Sequence, residues 1–253
     1  MTAADRRRRG ATTKASAVLA IADAPLVAKG RRAPTCRPPL RALPSAAVRT
    51  ILLLALSALF GCTPQGDPAI GAEGFRDDFE REQLGDLYNN TGGPYEIRDG
   101  WLHVRGARNR PLWLRRVLPR DVRIEVDVKS LSPEGDIKLE VFGDGSSRAE
   151  TDSYTATSYV LNFGGWGNSK NQIARMDEHG ADAAVGPRYP VEQGRVYRLK
   201  IERRGNVITA WADDRELASL NDPEPLEGRG HDHFAFNNWQ SDLYFDNLVI
   251  TPL

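Results

Sequence analysis

Apolar and polar residues alternate along most of the chain from residue 75 onward. In VRIEVDV, Val122, Ile124, Val126 and Val128 fall on one face and Arg123, Glu125 and Asp127 on the other, the pattern of a strand with one side buried and one side wet. The same period of two runs through YEIRDGWLHVRG, DIKLEVFGDG, SYVLNFGGW, NQIARMD and VYRLKIERRGNVITAWADDREL, and Asp99-Gly100 has the composition of a tight hairpin turn. No long stretch carries the helical period. Short strands separated by turns every ten residues or so predict an all-β fold, an antiparallel β-sandwich or jelly roll filling one domain over 75–253.

Ahead of that domain the pattern changes. VRTILLLALSALFGC sets Arg49 before the apolar run 51–60, which is too short to span about 30 Å of hydrocarbon as a helix and reads as a secretory signal peptide over 48–61. Residues 1–47 are rich in Arg, Ala and Pro with no sustained period, so they are expected to be a disordered leader or to precede a true start at Val48 or Leu40. The Pro/Gly-rich stretch 62–74 is expected to be a tether. Cys36 lies in the leader, so Cys62 is the single cysteine after it and no disulfide staples the domain. Charge follows the same division. The whole chain balances 34 basic against 34 acidic residues, but the first 61 hold 11 of the basic ones and two acids, leaving a body of net charge −9. An acidic body argues against nucleic acid or anionic lipid as the main partner, because both require a basic surface.

Candidate chemistry gathers in a few places. In GHDHFAFNNW, strand parity turns Phe234 and Phe236 to the core and His231, His233 and Asn237 to the polar face. Those three are candidate sugar contacts; a zinc site there would need a further ligand from Asp177, Glu178 or His179. Trp166 and Trp239 sit among Asn, Gln and Gly, the setting of an aromatic platform for the apolar face of a sugar ring, with Tyr154 and Tyr159 nearby. Paired carboxylates are the third possibility, since neighbours on one strand face lie about 6.6 to 6.8 Å apart, within the range glycoside hydrolysis uses. Glu125 with Asp127, and Glu140 in Glu134-Gly-Asp136-Ile-Lys-Leu-Glu140, are the weak catalytic candidates. The plainer reading of Glu125 and Asp127 is a solvated ladder neutralised by Arg123 and Lys129.

Two resemblances sharpen these expectations. Leu59-Phe60-Gly61-Cys62 resembles the lipobox of bacterial lipoproteins, which implies diacylation of Cys62, cleavage before it, and a membrane-anchored, extracytoplasmic protein of the bacterial cell envelope. FRDDFERE, VYRLKIERRGNVITAWADDREL and LYFDNLVI together resemble a concanavalin A-like lectin/glucanase sandwich. The middle piece is similar to the recurring hairpin of laminin G-like domains, although Asp213-Asp214 stands where a glycine is usual, and the whole resembles 3-keto-disaccharide hydrolase domain proteins. This resemblance implies that the terminal strands meet and that Asp78 and Asp246, with Asp77, can hold a structural calcium. Neither acidic stretch matches the Glu-x-Asp-x-(x)-Glu strand of family 16 glycoside hydrolases. The expected function is a lipid-anchored carbohydrate-binding module. A glycan-cleaving enzyme (glycoside hydrolase or lyase) and an envelope adhesion or structural protein are the alternatives. If Cys62 carries the anchor, Cys62→Ser should move the protein from the detergent phase to the aqueous phase on phase partitioning, and unchanged partitioning would refute it.

Overall fold

The computed structural model describes residues 66–151 and 154–253; Cys36, Cys62, the leader, the signal segment and the start of the tether lie outside them. Fifteen strands follow in order: β1 (Phe75–Asp77), β2 (Tyr88–Asn90), β3 (Glu96–Arg98), β4 (Trp101–Arg105), β5 (Leu112–Leu114), β6 (Val122–Ser130), β7 (Ile137–Gly143), β8 (Tyr159–Gly164), β9 (Lys170–Arg175), β10 (Ala184–Val185), β11 (Val196–Arg204), β12 (Val207–Ala212), β13 (Arg215–Asn221), β14 (His233–Asn237) and β15 (Asp242–Pro252). They form two antiparallel sheets. The first runs β13-β12-β11-β6-β15-β4-β3, with β1 also on β15, and the second runs β10-β9-β8-β7-β14-β5-β2. The two sheets make the expected sandwich.

Parity builds the core. Val122, Ile124, Val126 and Val128 of β6 are buried, as the alternation predicts, and meet Phe234, Phe236, Phe245 and the inner residues of β7 and β8 in one cluster. Full burial of such side chains contributes about 1.5–3 kcal/mol each. Phe236 lies 4.8 Å from Phe245 and 5.0 Å from Phe234, centroid to centroid. One inward position carries a charge. Arg203 of β11 is buried, stacks 4.3 Å over Phe142, and donates to the carbonyls of Leu226 and Gly205 and to Glu227. Burial pulls its pKa down, and these acceptors satisfy it.

The terminal strands do meet: Phe75, Arg76 and Asp77 pair with Ile250, Val249 and Leu248. The domain, however, begins earlier than residue 75. Ile70 packs into the core, Ala69 bridges to Val117, and Ile70 N–H donates to the Val117 carbonyl at 2.9 Å. The stretch from Pro68 is therefore fold and not tether. Asp99-Gly100 makes the expected turn, both residues having positive φ. So does Asp213-Asp214, with φ of 48° and 64°, where two aspartates occupy a conformation that glycine adopts without steric cost. Asp214→Gly should therefore stabilise the domain by roughly 0.5–1 kcal/mol. Its ion pair with Lys200, 3.5 Å away and exposed, is worth little against that. Urea unfolding of the two forms measures the gain.

Candidate functional site

The second sheet has an unusual outer face. Strand β7 turns Ile137, Leu139 and Val141 to the core and Lys138 and Glu140 outward, yet all of its residues are buried. Lys138 stands opposite Asn162 of β8 on one side and Asn237 of β14 on the other, and Asn162 faces Gln172 of β9. A polar row thus crosses four strands with every member out of water. Loops do the covering. Between β7 and β8, Tyr154, Ala149 and Ala156 pack on Val160, while Ser147 accepts from the Trp113 indole at 2.9 Å.

The buried polar row is bonded throughout except at Gln172 Oε1. Glu140 is wholly inaccessible and accepts from Ser158 Oγ at 2.5 Å, Asn237 Nδ2 at 2.6 Å and the Tyr154 hydroxyl at 3.1 Å. Desolvation outweighs these donors and pushes its carboxyl up to about 7. Lys138 donates to Asn109 Oδ1 at 2.8 Å and lies 2.8 Å from Glu178 Oε2. Burial works to raise the Glu178 carboxyl, but the Lys138 charge, with hydrogen bonds from Lys138 and Asn162, holds it below its ordinary value.

Beyond this row the face opens into a pocket of about 560 Å³, whose lining includes Asn109, Asp136, Lys138, Asn162, Glu178 and both Trp166 and Trp239. Trp166 is 42% exposed and belongs to a short turn, Gly165–Asn168, wound left-handed at Trp166 (φ 51°, ψ 56°) and Gly167. That conformation is an outlier for a bulky side chain. Lys170 Nζ sits 4.6 Å from its ring centroid and His179 meets it edge to face at 5.6 Å. Asp136 also has positive φ. Desolvation, with the Glu178 charge adding and Lys138 opposing, pushes its carboxyl up to about 6.

The other expected site residues are placed elsewhere. Asn237 lies beneath the pocket as the partner of Glu140, and its Oδ1 accepts from the Asn238 N–H. His233, four residues and about 13 Å along the strand, bonds Asp67 at 3.2 Å, and His231 approaches the Thr157 carbonyl at 2.7 Å; neither lines the pocket. Tyr159 is a core residue, its hydroxyl donating to Asp222 at 2.7 Å, because its parity on β8 is that of Leu161 and Phe163. Glu125 and Asp127 project from the opposite sheet. They are neutralised across the strands by Arg198, 3.9 Å and 3.1 Å away, and not by Lys129, which sits over the rings of Trp101 and Tyr244, nor by Arg123, which binds Glu202. Glu140 is sealed from any substrate.

At the β1–β15 pairing, Asp78 lines a shallow cleft with Asn247. Burial raises the Asp246 carboxyl, and the charges of Asp127, Glu80 and Asp78 add to the shift. Asp77 is saturated, accepting twice from Arg81 and once each from the Tyr88 hydroxyl and the Phe79 N–H, which fills the lone-pair sites of a carboxylate. Among the described residues, no group of three or more His, Cys, Asp or Glu is placed to hold a metal. Lys138, Asn109 and Asn162 carried no expectation of binding, Glu178 only that of a possible zinc ligand, and Asp136 only its place in the acidic stretch 134–140. The alternation in DIKLE marks Asp136 and Lys138 as outward positions of a strand, and no pattern marks Asn109, Asn162 or Glu178.

No protein-family model matches the chain. Among solved structures it is similar to the carbohydrate-binding module CBM66 of Bacillus subtilis, at 18% identity over 67% of this chain and 98% of that one with a TM-score of 0.50. It is also similar to a Bacillus subtilis protein of unknown function with a galectin-like fold, at 12% identity over 70% and 94% of the two chains, with a TM-score of 0.55. The sequence is 24% identical over 160 residues to an extracellular exo-α-L-arabinofuranosidase of Streptomyces chartreusis, a match that spans 63% of this chain and 18% of that protein. The fold is a concanavalin A-like sandwich.

The Glu140 environment makes stability depend on pH. A carboxyl raised from 4.5 to about 7 holds its proton more tightly in the folded state. Its contribution is therefore full below about 4.5 and is lost as pH rises through about 7. Glu140→Gln keeps the shape and mimics the protonated form, so its melting temperature should exceed that of wild type at pH 8 and the difference should shrink toward pH 5. A difference independent of pH would show that the carboxyl does not titrate in this range.

Proposed function

We propose that the protein is a carbohydrate-binding module of the cell envelope, held at the membrane by a lipid on Cys62, with Trp166 and Trp239 as the aromatic contacts of its pocket. The observation that carries this reading is Trp166. An exposed tryptophan held in a left-handed conformation, with glycines at 164, 165 and 167, costs the fold energy of order 1 kcal/mol and buries little apolar surface in return. Strain of this kind is kept where the side chain itself is needed, here at the mouth of a polar pocket. Sugar hydroxyls would find acceptors in Asp136 and Glu178 and donors in Asn109 and Asn162. The similarity to CBM66 and to an arabinofuranosidase supports the same class of ligand. Localisation rests on the lipobox resemblance alone.

A glycan-cleaving role has one observation in its favour, the Asp136 carboxyl raised to about 6 beside Glu178. Against it, Lys138 neutralises Glu178, and Glu140 on the same strand is inaccessible. Release of reducing sugar that disappears in Asp136→Asn would assign the pocket as an active site.

Binding and folding should separate at Trp166. Trp166→Gly relieves the backbone strain while deleting the ring, so its melting temperature should equal or exceed that of wild type while affinity for a bound glycan falls about thirtyfold, or roughly 2 kcal/mol. Trp239→Ala should weaken binding similarly. Isothermal titration with the best ligand of a glycan array, alongside thermal melts, makes the comparison; unchanged affinity in both variants would refute the site.

A further inference from the structure

The polar row could have floored an open groove running across the strands, but three walls interrupt it. On the β9 side, Glu178 lies over the row. Its carbonyl accepts from Gln172 Nε2 at 2.8 Å, and its carboxylate accepts from Asn162 and Lys138. On the β14 side stands Asn109, whose Oδ1 accepts from Lys138 and whose N–H donates to the Asn238 carbonyl at 3.0 Å. Behind both runs the segment between β7 and β8. Ala149 N–H donates to the Asn109 carbonyl at 2.7 Å, Ala156 N–H donates to the Met176 carbonyl at 2.8 Å, and Tyr154 and Ser158 are fastened to Glu140. Backbone hydrogen bonds fix the Asn109 wall and the β7–β8 segment, and Glu178 is pinned at both its carbonyl and its carboxylate. What remains is a pit whose lip carries Trp166, Gly167 and Trp239.

The charge in the pit has a sign. Glu134, Asp136 and Glu178 line it against Arg105 and Lys138. Lys138 is already committed to Asn109 and Glu178, and Arg105 stands exposed, 4.0 Å from Asp242. Carboxylates accept hydroxyl protons readily and repel a second acid.

We propose that this pocket takes the terminal unit of a neutral glycan chain end-on, and that it excludes both the interior of a chain and acidic sugars. The inference rests on the carbohydrate reading above. A chain continuing in both directions would have to pass through the positions of Glu178 and Asn109, whereas a chain end enters past the tryptophans and stops at Lys138 and Asn162. The pocket volume lies within the range of sites for compact ligands.

Counting binding sites tests this without any variant. The full chain in detergent is titrated with arabinan, xylan, levan and laminarin, and with polygalacturonate as the acidic probe, each intact and after graded digestion by an endo-acting hydrolase. For a terminal-unit binder, each halving of the mean chain length should double the number of sites per mass of polysaccharide, with affinity per site unchanged. A number of sites that stays level or falls on digestion overturns end-on binding and leaves the carbohydrate reading in place. Preference for polygalacturonate over every neutral polymer overturns the neutral assignment. Retention by none of the polymers and by no glycan on an array overturns the carbohydrate reading and this inference with it.

Discussion

Two charged side chains on the outward face of one strand set the terms for the rest of this molecule. Lys138 and Glu140 project from β7 away from the core, where water would ordinarily solvate them, and both are buried. A buried charge left without a partner destabilises a fold by about 3–5 kcal/mol, so the loops that cover them must also bond them. Asn109, Glu178, Tyr154 with Ser158, and Asn237 come from four different segments and converge on these two groups. The network ties the loops to the sheet and so gives the pocket its walls.

The opposite sheet shows what the same alternation produces when no loop folds over it. On β6 and β11 the outward residues remain a half-exposed ladder of cross-strand pairs, Arg123 with Glu202 and Arg198 with Asp127, of the kind worth at most about 1 kcal/mol each. Strand chemistry is nearly identical on the two faces. The difference in burial comes from the connections, which are longer on the side of β7, β8 and β9 and two residues each between β11, β12 and β13.

That difference explains what could be read in advance. Alternation revealed β6, β7 and the β11–β13 meander, and parity correctly sent Phe234 and Phe236 inward. It could not reveal β2, β5 or β10, where two or three residues carry no period. Trp166 and Trp239 were recognisable from their polar, glycine-rich surroundings. Tyr159, near Trp166 in sequence, goes to the core because it shares the parity of Leu161 and Phe163. The enclosure of Lys138 and Asn162 beneath Glu178 was hidden for a different reason. Whether an outward residue is wet or enclosed depends on segments tens of residues away, and the pattern along one strand is silent about them.

The placement of β15 has a consequence for how the chain is made. This strand lies inside the first sheet, with β6 along one edge and β4 followed by β1 along the other. Until it arrives, β1, the β3–β4 hairpin and the β6-β11-β12-β13 group have no common neighbour, and their unpaired edges are open to wrong partners. The β3–β4 hairpin and the β6-β11-β12-β13 group can pair earlier, but their union into one sheet waits for synthesis to pass residue 242, and the long loops it closes make that step slow. A sandwich whose first sheet is joined by its last strand stays in two separate pieces until synthesis is nearly finished, so truncation before β15 should leave it unable to close.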